Sequence, residues 1–105
     1  MIRVNYSRTG DNHKLSVRGH AGYDDSGKDI VCAGVSAISC ALLGVLNHAG
    51  CDISESRTDS GEMTVKCKGG SMAFDMAMVG YLQIAKQYPA HITVCVESYI
   101  VAQGD

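Results

Sequence analysis

The chain has no tryptophan, one phenylalanine and one proline in its 105 residues. Without indole rings and with a single Phe, it offers few platforms on which unpaired bases could stack. Nine basic residues stand against eleven acidic ones, a net charge of −2. No cationic field exists to hold a phosphate backbone, so no direct nucleic-acid binding is expected. With Pro89 alone there is no proline-rich linker, and no internal repeat or low-complexity tract is present. The first residues, Met1 to Tyr6, lack a basic segment followed by an apolar run, so no secretory signal is expected. The five cysteines (Cys32, Cys40, Cys51, Cys67, Cys95) are odd in number. Without an export signal they read as reduced thiols in a cytoplasm rather than as a disulfide scaffold. Any one of them alone reads as a small core hydrophobe.

Hydrophobic residues make up 46% of the chain and charged residues 19%. That balance belongs to a folded domain and excludes a disordered one. Residues 1–105 are expected to form a single domain, long enough to bury roughly 60–68% of the unfolded surface without staples.

Ile2, Val4 and Tyr6 alternate with Arg3, Asn5 and Ser7, the period of a half-buried strand. After a turn at Gly10-Asp11-Asn12, Leu15 and Val17 alternate with Lys14, Ser16 and Arg18, which predicts a hairpin. A glycine-rich loop covers Gly19 to Lys28. Asp29 is a suitable cap for a helix from Ile30 to Ala49, stopped by Gly50. One stripe of this helix carries Val31, Val35, Ile38, Leu42, Val45 and Ala49, and another carries Ala33, Ala37, Ala41 and Gly44. No charge interrupts it, so it is expected to be apolar nearly all round and buried at the centre. Two further strands, Cys51 to Arg57 and Glu62 to Lys68, flank a turn at Asp59-Ser60-Gly61. A second helix runs from Gly69-Gly70-Ser71 to Tyr88, ended by Pro89. A β-branched strand from Ile92 to Val101 closes the order ββαββαβ. The fold class expected is α+β, two layers, with a mostly antiparallel sheet packed against two helices.

The uncharged run from Ile30 to Cys51 is long enough to span a bilayer. It carries Ser36, Ser39, Asn47 and His48, has an acidic residue at each end with no strong basic bias on either side, and sits among amphipathic elements made for a soluble core. A buried helix, not a membrane span, is expected. The segment from Gly22 to Asp29 nearly matches a phosphate-binding loop, but Asp29 stands where a Ser or Thr must reach magnesium. Asp24 and Asp25 would repel the phosphates, so nucleotide binding is disfavoured. Cys40, His48 and Cys51 do not have the close spacing of a structural zinc site, and no metal is expected. His13 and His91 read as solvated.

Cys32 falls at about the third position of the first helix. There the free amides and the positive dipole end favour a thiolate by about 0.3–1 kcal/mol. His20 ends the preceding strand, and the loop between can fold the two together. From chemistry alone this is a suggestive pair for nucleophilic catalysis.

Gly19-His20-Ala21, a short glycine-containing loop, and then Asp29-Ile30-Val31-Cys32-Ala33-Gly34-Val35-Ser36-Ala37-Ile38 resemble the signature of the ribosomal-processing cysteine protease family, Prp. The likeness extends over the chain in length and element order, and its specificity lies in those two blocks and their separation. The resemblance implies a cysteine endopeptidase that removes a short N-terminal extension from a protein of the large ribosomal subunit. It implies His20 as base, Cys32 as nucleophile, and a loop that moves to admit substrate (Gly19, Ala21, Gly22, Tyr23 and Gly27). On this reading Asp29 caps the helix and is a candidate to orient His20. The amides at the helix start are candidates for an oxyanion hole. No cofactor is implied. The partner expected is the precursor ribosomal protein, with no membrane, and a homodimer is compatible. The rival reading is a non-enzymatic ribosome-assembly or peptide-binding module in which Cys32 and His20 are only structural.

Overall fold

The computed structural model describes residues 1–25 and 27–99. The alternating segments form two hairpins. β1 (Ile2–Thr9) pairs with β2 (Asn12–Arg18), and β3 (Asp52–Asp59) pairs with β4 (Glu62–Lys68). β5 (Ile92–Tyr99) lies parallel to β1. The strand order is β3-β4-β2-β1-β5, with three antiparallel pairs and one parallel pair. This is the mixed, mostly antiparallel sheet expected from the element order. Of the last strand's expected range, residues 100–101 lie outside the described residues.

Two helices, α1 (Ile30–His48) and α2 (Ser71–Gln87), connect the strands and pack on one face of the sheet. Period-two alternation decides that face. Ile2, Val4, Leu15, Val17, Met63, Val65 and Ile92 point into the core, while Arg3, Lys14 and Arg18 are exposed on the other side. Phe74, Tyr81, Leu42 and Leu46 have no exposed surface, and each such burial is worth about 1.5–3 kcal/mol. The helices approach closely where Gly80 meets Ile38: a Cβ at Gly80 would lie 2.7 Å from Ile38 Cδ1. The Tyr81 hydroxyl shares a 2.6 Å hydrogen bond with Ser39 Oγ, which donates to the Val35 carbonyl. Burial pushes the Tyr81 phenol up to about 12.

Three expectations are corrected. First, α1 is buried on one face, not all round. Val31, Val35, Ser39, Leu42 and Leu46 meet the core, whereas Ala33, Ala37, Ala41, Gly44 and Val45 are exposed. A two-layer fold gives each helix only one surface to cover. Residues that are merely small and uncharged can face water at little cost.

Second, His13 is not solvated but 2% exposed, stacked on Phe74 at 4.4 Å. It faces inward with Leu15 and Val17. Burial lowers its basicity, helped by Arg8, so the ring is neutral. A consistent chain of donors follows: Tyr6 O–H to Nδ1 (2.6 Å), Nε2–H to Ser71 Oγ (3.3 Å), and Ser71 O–H to Asp11 (3.4 Å). Third, His91 is half-buried, and its ring is held by the main chain of the glycine-rich loop.

Candidate active site

α1 begins where Asp29 turns the chain, and its carboxylate organises the surroundings. Oδ1 accepts from the Val31 and Cys32 amides, both at 3.0 Å. Oδ2 accepts from the Tyr23 amide at 3.0 Å. The Cys32 amide is the main reason the Asp29 carboxyl is held below its ordinary range. Partial desolvation opposes this, and the Tyr23 and Asp24 amides add to it. Asp29 therefore caps the helix and ties the loop to it. The Ala33 amide donates to the Asp29 carbonyl at 3.0 Å. The amides of residues 31 to 33 are thus already engaged, which corrects the expectation that they are free for an oxyanion. For the same reason the carboxylate, not a phosphate, occupies the first turn.

Cys32 is half-buried and its sulfur is not isolated: the Ala21 amide donates to Sγ at 3.2 Å. His20 is exposed at the end of the β2 extension. Its ring lies against Gly61 in the β3–β4 turn, so closely that a Cβ there would sit 2.6 Å from Nε2. The neighbouring Gly19 amide donates to the Gly61 carbonyl at 2.8 Å, and the chain's amino terminus donates to the His20 carbonyl. Among the described residues no hydrogen bond joins the imidazole to the Cys32 thiol, yet both line the same space.

That space is two adjoining clefts. One, of about 280 Å³, has His20 and Cys32 on its wall and an apolar floor of Ile2, Val17, Val35, Leu43 and Met63. The turn from Thr58 to Glu62 forms its rim. The other, of about 450 Å³, runs between the glycine-rich loop and the helix. It is lined by Gly22, Asp24, Gly27, Asp29 and Ala33 as well as His20 and Cys32. Ser36, one helical turn beyond Cys32, lines both. Ser36 was not singled out from the sequence, although its i+4 spacing from Cys32 puts it on the same helix face. The turn at Asp59-Ser60-Gly61 was expected from the sequence, but its approach to the His20 ring was not, since no local signal marks that contact.

Within the glycine-rich loop, Tyr23 meets Tyr88 and His91 edge to face, at 5.4 and 5.3 Å between ring centres. Ala21 is 3% exposed. The loop is therefore anchored at Ala21 and Tyr23, and the glycines at 22 and 27, both with positive φ, shape the turns around these anchors. Cys40 shares the first cleft, whereas Cys51 lies at the far end of α1 beside Gly70.

A half-buried cysteine at a helix start and a histidine on the same cleft wall, on a two-layer α+β frame, form an arrangement compatible with a thiol hydrolase. The sequence profile of the cysteine protease Prp family matches residues 1–93, and the chain belongs to that family. A ribosomal processing cysteine protease Prp from Mycoplasma genitalium is 29% identical over 102 residues, covering 94% of this chain and 99% of that one. Two crystal structures of a ribosomal processing protease Prp from S. aureus share the fold. The complex with a covalently linked product peptide has a TM-score of 0.83 at 20% identity. The complex with a substrate peptide has 0.76 at 19%. Each covers 91% of this chain and 99% of the other.

Proposed function

We propose that this chain is the endopeptidase that trims the N-terminal extension of a large-subunit ribosomal protein, with Cys32 as nucleophile and His20 as base. The observation that carries the reading is the shared wall: both residues line both clefts, so a peptide crossing from one cleft to the other passes over the sulfur. The relatives' names, which state ribosomal processing, support the substrate class.

The chemistry follows from the groups present. His20 takes the thiol proton and Sγ attacks the scissile carbonyl carbon. The tetrahedral adduct collapses as the C–N bond breaks, and the same proton passes from His20 to the leaving amine. A thioester remains. Water, deprotonated by His20, attacks it; the C–S bond breaks and the returning proton regenerates the thiol. The ring is exposed and makes no side-chain hydrogen bond among the described residues, so it can turn between Gly61 and the sulfur. Ala21 N–H donates to the sulfur and helps to hold it on the cleft wall. The cytoplasm is the proposed compartment, since the reaction needs a free thiol.

Incubation with the precursor protein, read by intact mass, tests the reading. The expected result is loss of one N-terminal peptide, abolished in Cys32→Ala and in His20→Ala, with the double variant no worse than either. Both single variants should stay folded, because neither residue is in the core. Cleavage by Cys32→Ala at the wild-type rate would remove Cys32 as nucleophile, and no cleavage by the wild-type chain would favour the assembly-module reading.

A further inference from the structure

We propose that His91 is a positioning residue for the catalytic thiol, acting through Ala21; this rests on the assignment of Cys32 as nucleophile. His91 lies seventy residues from Ala21 in sequence, yet its Nδ1 is 2.9 Å from the Ala21 carbonyl oxygen. A carbonyl only accepts, so Nδ1 carries the proton and donates. The amide of the same residue, Ala21, donates to Cys32 Sγ at 3.2 Å. One residue thus faces the nucleophile through its N–H and is held from behind through its C=O.

The peg that holds it is rigid. The His91 amide donates to the Tyr88 carbonyl at 2.9 Å, and the His91 carbonyl accepts from the Ile2 amide at 2.9 Å. Both sides of the residue are therefore pinned, one to the end of α2 and one to β1. Its ring also meets Tyr23 edge to face, so it supports the loop at a second point. Ala21 is followed by Gly22 at φ +66, a position with no side chain to brace it. Among the described residues no other donor reaches the Ala21 carbonyl, so without His91 the Ala21–Gly22 peptide can turn and shift Ala21, whose N–H faces the sulfur. Loss of sub-ångström placement at a reacting atom lowers turnover more than binding.

Two substitutions separate this role from packing. His91→Leu keeps apolar bulk against Tyr23 and removes the donor. His91→Asn loses bulk and keeps a side-chain N–H. The expected result is a kcat at least about tenfold lower in His91→Leu with KM changed less than about twofold, and recovery of most of that loss in His91→Asn. The rate of Cys32 alkylation by iodoacetamide should follow the same order, Asn above Leu, while thermal stability follows the reverse. Wild-type kcat in His91→Leu, or activities that follow stability, would overturn the proposal. A measurement on the wild-type chain needs no variant to fold: ¹⁵N NMR of the His91 ring should find the proton on Nδ1, and an Nε2–H tautomer would overturn it. Cys32→Ala is assayed alongside. If it still cleaves, the nucleophile assignment fails and this proposal with it. If it is dead while His91→Leu is fully active, only the positioning role fails.

Discussion

Gly61→Ala is the perturbation that isolates His20, the proposed base. Gly61 sits in the β3–β4 turn at φ +71, with the His20 ring against its Cα. An added Cβ would lie 2.6 Å from Nε2 and 2.9 Å from Cε1. Ordinary contact begins near 3.4 Å, so the ring must retreat by about 0.8 Å. Because the imidazole is exposed, it can move without disturbing the core. The stability cost is then mainly that of a left-handed alanine, about 1–2 kcal/mol. That corresponds to a drop in melting temperature of roughly 4–8 °C. Catalysis should suffer more, since a misplacement of this order costs up to about 10²-fold. Gly10→Ala supplies the control. It has nearly the same backbone conformation, φ +61, in the other hairpin, and a Cβ there meets nothing within 4 Å. The expected outcome is equal loss of melting temperature in the two variants, with kcat/KM for the precursor reduced only in Gly61→Ala. Equal activity in both would refute the reasoning that this turn sets the position of His20.

Three further outcomes are expected. Brief iodoacetamide treatment, followed by peptide mapping, should label Cys32 before Cys40 and Cys95, although those two are more exposed; labelling in order of exposure would count against Cys32 as the nucleophile. His13 is buried with its basicity below the ordinary 6.5, so the unfolded chain takes up the proton first. Stability should be full above pH 6.5 and decline as pH falls below it, before carboxylates titrate, and denaturation of His13→Gln should be flat over pH 5–7. Tyr81→Phe leaves Ser39 its bond to the Val35 carbonyl and should cost about 1 kcal/mol in urea denaturation, without altering cleavage.

Alternation and punctuation settled much of the fold before any contact was known. Apolar period two in β1 and β2 and glycine at each hairpin turn decide element type locally, because they act through backbone geometry within a few residues. So does Asp29 before an uncharged run. The Gly19-His20 and Asp29-to-Ile38 blocks likewise bring the candidate pair close, since a short loop joins them. Parity even held the answer for His13, which shares its phase with Leu15 and Val17 and therefore faces the core. What sequence reasoning could not decide is what comes back from a distance. The extent of α1 burial depends on which surface the sheet leaves for it, and an uncharged alanine stripe looks the same on either side. Gly61 meets His20 only because β4 pairs with β2, and His91 reaches Ala21 only because β5 lies parallel to β1. Such contacts join residues forty and seventy positions apart. Their free energy is realised only once the sheet has closed, so no local preference records them. Tertiary structure alone brings Gly61 against His20 and His91 behind Ala21.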